Sequence, residues 1–391
     1  MYEVERYGQS VFAQNENYTT AHHTAMATDD VRVSAFRMAI QRAAKGKRVL
    51  DVGSGPFLLL SRLAVHAGAA FVASVEDSAT SVQMAVDLCQ LEHQQQCSGS
   101  GADCVSTELL DALKLLDGLS VRLPIHVWQL HRPTHRQPVL DLHGCPCPLA
   151  TLVTTSTPLS EEGDRAAELQ IFHGLSSEVT LPRTLDLIVH EVIGHVMSAE
   201  GAVLAIHELK LRYPRCKVIP RSAGTFISPT AKFEPSLVER LLFYAETGDR
   251  SVRPRAIYRI RGFPASSLLA PAQPFEWFDF EGDLPLVQHR TCTFRTTRSG
   301  MFDGVHLHVK VQVDDATDID TYQQQTTWAC TYIRLLSSRD AIWLPKDAVV
   351  VCECFVDVSS YRPKYTIDVL VALNAVSERV RVTSYSWQGD G

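Results

Sequence analysis

An α/β half built on a parallel sheet, followed by a mostly β half of barrel or sandwich type, is the architecture this sequence predicts. Up to residue 220, short β-branched apolar runs alternate with segments of helical period. A glycine turn, Gly53-Ser54-Gly55, follows the first of those runs. Beyond Arg221 the pattern changes to period two or near-continuous apolar runs, in 224–227, 291–296, 305–313, 348–356 and 365–373, with turn residues between. At 391 residues and 45% hydrophobic content the chain can bury two or three cores. The expected divisions are a helical N-terminal flap over 1–45, a Rossmann-like domain over 46–220 with an insertion at 94–166, and a β domain over 221–391. A helical arm for association is expected at about 235–264.

The totals exclude some classes. No run of about 18 apolar residues occurs, and the start Met1-Tyr2-Glu3-Val4-Glu5-Arg6-Tyr7 lacks the basic-then-apolar pattern of a secretory signal, so a soluble, cytoplasmic protein is expected, with the nucleus as a second compartment. Ten cysteines without a regular framework, the nearest pairs being Cys145/Cys147 and Cys352/Cys354, read as free thiols in a reducing compartment. A formal charge of −7 speaks against nucleic acid as a direct partner and suits a basic ligand. No membrane partner is expected.

The first helix opens at Asp29-Asp30, carries Phe36, Met38, Ala39 and Ile40 on a rough 3.6 period and ends at Gly46, with carboxylates at its start and glycine past its end. The strand Arg48 to Val52 then runs into Gly53 and Gly55, with Pro56 placed for the first turn of the next helix. Glycines here let a backbone approach a ligand closely. A second strand, Phe71 to Val75, ends in Glu76, 21 residues after Gly55, where nucleotide-binding folds place the acid that accepts from ribose hydroxyls. The third glycine of a dinucleotide fingerprint is missing, since Leu58 or Ser61 occupies any candidate position. That points away from NAD and towards a ligand without a pyrophosphate, such as S-adenosylmethionine.

After a helix from Ser78 to about His93, residues 94–166 mix Gln-rich, Gly/Ser-rich and Pro-rich pieces and read as an insertion. Its His131, His135, His143, Cys145 and Cys147 match no usual zinc spacing, and no metal is expected. Further on, Leu185 to Val189 reads as a buried parallel strand that delivers Glu191 at its C-terminal end. Glu200 follows nine residues later, with small residues between. Two convergent carboxylates suit a planar, bidentate cation such as guanidinium; a strand-end glutamate beside an unrelated surface glutamate fits the stretch as well.

Taken in order, these pieces resemble the protein arginine methyltransferases over nearly the whole chain outside 94–166. Val49 to Gly55 is similar to the family's first cofactor motif, Ala67 to Glu76 to its second strand and ribose acid, and Glu191 to Glu200 to its double-glutamate loop. The resemblance implies S-adenosylmethionine as methyl donor, with S-adenosylhomocysteine as its product. It implies that Met26 and Arg32 close over the cofactor with Tyr18 and His23, Arg32 meeting its carboxylate. Asp51, Gly53 and Gly55 would line the amino-acid and ribose portion, Glu76 would hold the ribose, and Ser177 and Glu178 would flank the adenine. Thr326-Thr327-Trp328 corresponds to a threonine-histidine-tryptophan loop, with Trp328 as one wall of the arginine channel.

Two departures bear on the product. Thr327 replaces the loop histidine, and Ser176 to Val179 stands where other members carry a pair of acids; both are similar to the monomethylating, type III branch. The expected activity is therefore transfer of one methyl group to peptidyl arginine, with Glu191 and Glu200 as catalytic pair and His195 narrowing the pocket or serving the loop's structure. Symmetric dimethylation and a catalytically silent scaffold subunit are the alternatives. Expected substrates are arginine/glycine-rich proteins such as histone tails and RNA-binding proteins, and the expected assembly is a homodimer.

Overall fold

The computed structural model describes residues 3–7, 20–97, 111–112, 114–116, 119, 125–129, 168–232, 256–337, 339–374 and 377–389. The chain divides into two compact units, one made of Tyr18–Glu191 with Glu208–Ile219, the other of Met1–Asn17, Val192–His207 and Pro220–Gly391. One division between the units falls at 219/220; the differences from the expected domains lie elsewhere. Residues Val192–His207 group with the β unit, and Glu3–Tyr7, expected in a helical flap, is a strand antiparallel to Ala256–Arg261. Pairing there satisfies backbone groups that an edge strand would leave open.

In the α/β unit a six-stranded parallel sheet runs in the order Ile125–Gln129, Glu168–His173, Phe71–Glu76, Arg48–Val52, Leu187–His190, Lys217–Ile219. Its central strands are apolar on both faces: Val49, Leu50, Val72, Ala73, Ile188 and Val189 are fully buried. That is why they read as continuous runs. Helix Asp30–Ala43 buries Ala35, Phe36, Ala39 and Ile40, a stripe of three- and four-residue spacing, whereas Met38, expected with them, is off that stripe and exposed. Asp29 caps it by accepting from the Arg32 N–H at 3.2 Å, and Gly46 follows with φ of +68°. Pro56 is not in a first helical turn as expected: residues 55–58 form a turn, and the helix is Leu59–His66, entered through a left-handed Leu58 (φ 52°). Burial of the Leu58 side chain offsets that backbone cost.

Nor does the whole 94–166 stretch stand apart from the sheet. Helix Ala79–Cys97 runs into it, Ala112 and Leu116 pack with Phe57 and Leu88, and Ile125–Gln129 covers the edge of Glu168–His173. His131, His135, His143, Cys145 and Cys147 lie outside the described residues.

The β unit holds two antiparallel sheets. The larger has the order Glu3–Tyr7, Ala256–Arg261, Cys330–Arg334, Gly300–Asp314, Ser222–Ala231, Gln273–Asp279, and Thr317–Asp320 and Ile342–Leu344 also pair with Gly300–Asp314. The smaller runs Val287–Arg295, Val349–Asp357, Lys364–Ala372, Val380–Gln388. The expected alternation is plain in Lys364–Ala372, where Tyr365, Ile367, Val369 and Val371 face inward. The last part of the expected arm, Ala256–Arg261, is a strand of the larger sheet; residues 233–255 lie outside the described ones. Among the described residues no helix is long and apolar enough to cross a membrane.

Candidate cofactor and active site

Strand order sets the site. From Arg48–Val52 the chain fills one side with Phe71–Glu76, the edge strand Ile125–Gln129 and then Glu168–His173 between them, before it crosses to the other side for Leu187–His190. The crevice of such a sheet opens at this switch, beyond the C-terminal ends of its two flanking strands. Val52 pairs with His190, so Gly53 and Glu191 are the residues that leave those ends side by side.

The glycine turn is pinned from below. Gly53 and Gly55 have φ of +68° and +63°, which other residues adopt at a cost. The N–H groups of Gly53 and Ser54 donate to the Val75 carbonyl at 2.9 and 3.2 Å. Gly55 N–H donates to Glu76 Oε2 at 2.8 Å, and Ser78 N–H to Glu76 Oε1 at 3.0 Å. Burial raises the Glu76 carboxyl to about 7 against these two bonds.

Asp51 is completely buried beneath the turn. Its Oδ2 accepts from the Ser61 N–H at 2.9 Å and the Ser61 hydroxyl at 2.7 Å, and Ser61 also bonds Ser74. Its Oδ1 has no hydrogen-bond partner. Burial, with the Glu191 charge adding, pushes Asp51 up to about 7 despite the Ser61 bonds. Ser61, read from sequence only as a missing glycine, is thus the group that orients Asp51.

Arg32, buried on helix Asp30–Ala43, donates from Nε to Glu191 Oε1 at 2.7 Å. The resemblance implied a cofactor carboxylate as its partner; here its Nε is given to the strand-end glutamate. His23 on helix Thr20–Ala27 packs edge-on against Phe57, with ring centroids 6.3 Å apart, and lies over Gly55. Burial and the neighbouring His22 lower its pKa to about 4. Met26 is half-buried on the same helix, and Tyr18 lies outside the described residues. Ser177 and Glu178 are exposed in a turn past Glu168–His173, closed by the Glu178 N–H to Leu175 carbonyl bond of 2.9 Å.

The remaining residues named from sequence belong to the β unit. Segment Val192–Gly201 folds back on itself: Gly194 N–H reaches the Met197 carbonyl, Ala199 N–H the Val196 carbonyl and Gly201 N–H the Ser198 carbonyl. A Cβ on Gly194 would stand 2.9 Å from the Val196 carbonyl oxygen and 3.4 Å from Glu200 Cγ, so the fold-back needs glycine there. His195 is buried, its carbonyl accepting from the Thr331 hydroxyl at 3.3 Å. Burial and the Arg259 charge push its pKa to about 3, which keeps the ring neutral. Arg259 also donates to the Thr327 carbonyl, so one cation, which no sequence pattern singles out, serves both residues. Trp328 is buried, and Ala329 after it takes a left-handed φ of 54°. Among the described residues no metal-binding cluster occurs.

Solved structures of protein arginine methyltransferases share this fold. Protein arginine methyltransferase 10 of Arabidopsis thaliana, in a uniquely open conformation, is similar with a TM-score of 0.61 and 12% identity over 97% of this chain and 99% of that one. A chain of the Trypanosoma brucei PRMT1 enzyme-prozyme heterotetramer with AdoHcy is similar with a TM-score of 0.59 and 15% identity over 95% and 98%. At such identities the likeness is one of fold. No protein-family model matches the sequence, and no curated protein matches it.

Proposed function

We propose that this chain is an S-adenosylmethionine-dependent protein arginine N-methyltransferase that adds one methyl group to a guanidinium nitrogen, with Glu191 and Glu200 receiving the substrate arginine. The observation that carries the reading is the set of groups at the sheet's switch point. A glycine turn, two buried carboxylates and the Arg32–Glu191 pair stand together there, in a fold shared with solved arginine methyltransferases. The residues fit a zwitterionic nucleoside: Asp51 Oδ1 is a buried acceptor without a donor, Glu76 suits ribose hydroxyls, and Arg32 supplies the cation for a carboxylate. One neighbour was solved with AdoHcy, which supports the same choice.

The sulfonium supplies an electrophilic methyl with a neutral leaving group. What the chain contributes is orientation. Glu191 and Glu200 accept N–H bonds from the guanidinium, fix its plane and hold positive charge away from the attacking nitrogen. Because guanidinium has a pKa above about 12, no carboxylate deprotonates it beforehand, and its proton leaves during or after transfer. Arg32 pairs with Glu191 Oε1 at 2.7 Å and so fixes the direction of that carboxylate. Thr327 in place of a histidine, with the neutral His195, is the basis for stopping at one methyl.

Product analysis on an arginine/glycine-rich peptide tests the reading. One methyl increment per arginine is expected; a second on the same residue would reject monomethylation in favour of symmetric dimethylation. Glu200→Gln is expected to bind S-adenosylhomocysteine like the wild type and lose transfer, and wild-type turnover would count against the paired carboxylates. A chain that fails to bind S-adenosylhomocysteine in calorimetry is a scaffold, a role for which the enzyme-prozyme assembly of one neighbour offers a pattern. Homodimerisation and arginine-rich protein substrates remain part of the proposal.

A further inference from the structure

Glu276 lies on Gln273–Asp279 in the β unit, fully buried, where a register shift after Pro274 turns two consecutive side chains, Phe275 and Glu276, inward. A carboxylate in that position is costly unless its acceptor sites are filled. They are filled by the loop that leads to Glu200. Glu276 Oε2 accepts from the Ser198 hydroxyl at 2.6 Å, and Oε1 accepts from the Ser198 N–H at 3.2 Å and the Thr225 hydroxyl at 2.7 Å. Thr225 Oγ1 in turn accepts from the Met197 N–H at 2.8 Å. Since the Ser198 proton goes to Glu276, the Tyr365 hydroxyl, 2.8 Å away, is the donor to Ser198 Oγ. The Ser198 amide and hydroxyl therefore end directly on one carboxylate, and the Met197 amide reaches it through the Thr225 hydroxyl.

We infer that Glu276 is a positioning residue for the Glu200 side of the active site, acting through Ser198 and Thr225 to fix the loop two residues before Glu200. The inference rests on the arginine-methylation reading. It adds to that reading a group 76 positions further along the chain, on a strand that carries no recognised motif. Glu276 is fully buried and its carboxylate is taken up by Ser198 and Thr225, so it acts on the loop and not on a ligand. Its effect is the direction in which the loop presents Glu200. Burial raises its pKa, with the Ser198 and Thr225 bonds opposing.

Hydrogen-bond logic separates positioning from charge. In Glu276→Gln the amide oxygen keeps the Oε1 bonds, while the amide nitrogen donates to Ser198 Oγ, whose proton turns towards Tyr365; the loop keeps every tether. In Glu276→Ala both Ser198 tethers are lost, and Thr225 loses the acceptor that orients its hydroxyl towards the Met197 amide. The expected results are a fall in kcat and kcat/KM together of about 100-fold for Glu276→Ala, unchanged S-adenosylhomocysteine affinity, and recovery to within about 5-fold in Glu276→Gln. Wild-type turnover in Glu276→Ala, or loss in Glu276→Gln equal to that in Glu276→Ala, overturns the inference. Hydrogen exchange over Val192–Gly201 reads the tether without activity: protection of the Met197 and Ser198 amides should fall by about 10-fold in Glu276→Ala and hold in Glu276→Gln. Unchanged protection in Glu276→Ala overturns the tether even if the wild type proves inactive. An inactive wild type with the exchange change intact sinks the methylation reading and leaves Glu276 a loop tether only. Should Glu276→Ala not fold, Thr225→Val carries the same exchange test at Met197.

Discussion

Glu76 answers to two partners, the Gly55 and Ser78 amides, and burial holds its proton up to about 7. If ribose hydroxyls also donate to it, cofactor binding favours the ionised form and lowers that pKa, so binding releases a proton. Affinity for S-adenosylhomocysteine should then rise as pH increases through about 7, by at most about 10-fold per pH unit. Glu76→Gln should bind more weakly and flatten the profile, leaving only what Asp51 contributes. Calorimetry between pH 6 and 8 reads both, and an equal slope in Glu76→Gln and wild type would remove Glu76 from the ribose role. At this scale the sequence was informative where a residue's demand is local. Gly53 and Gly55 need positive φ, and Glu76 stands at a fixed distance from them. It was silent on Ser61, Arg259 and Glu276, because a serine, arginine or glutamate carries no sign of which distant group it will meet.

At the scale of elements, strand and helix periods transferred well. The helix with its Asp29 cap, the buried central strands and the alternating strand Lys364–Ala372 follow from hydrophobic spacing and capping chemistry. The failures occurred where pairing, rather than period, made the element. Glu3–Tyr7 and Ile125–Gln129 are strands because an edge lay open for each, and the turn at 55–58 delays a helix that Pro56 suited earlier. Close packing of strands also fixes Gly224 on Ser222–Ala231. A Cβ there would sit 2.2 Å from the Glu276 carbonyl oxygen and 2.8 Å from Trp277 Cε3. Gly224→Ala should force Gln273–Asp279 aside and lower stability by about 2 kcal/mol. Thermal or denaturant unfolding measures this, and an unchanged midpoint would show that the strand gives way freely.

Across the molecule, each unit carries its own response to pH. In the β unit His306 and His308 lie two residues apart on Gly300–Asp314, both buried, with ring centroids 5.2 Å apart and Phe263, Phe226 and Tyr322 against them. The charged groups facing them are Asp320, 3.7 Å from His308 Nε2, and Lys310, which shares that carboxylate. Burial lowers His308 to about 4, with Asp320 opposing and Lys310 adding, and lowers His306 well below its ordinary value, with His308 adding. Folded-state pKa values below the unfolded one mean that the unfolded chain takes up protons first as pH drops. The β unit should therefore lose stability from about pH 6.5 downward, by at most about 1.4 kcal/mol per pH unit for each histidine. In the α/β unit Asp51 and Glu76 are raised to about 7, so their contribution runs the other way and is lost as pH rises from the ordinary carboxylate range towards 7. Hydrogen exchange in Gly300–Asp314 should show weaker protection at pH 5 than at pH 7 after correction for intrinsic rates, with His306→Phe reducing the difference; equal protection at both pH values would contradict it. From the sequence came the two-part α/β and β plan, the glycine turn, Glu76 and the Glu191/Glu200 spacing, because periodicity and backbone preference act over a few residues. Tertiary structure alone decided that Arg32 would meet Glu191 across 159 positions and that Glu276 would hold Ser198 across 78. Those meetings depend on strand order and register, and these are settled by which edges and faces are left to bury once the local elements exist.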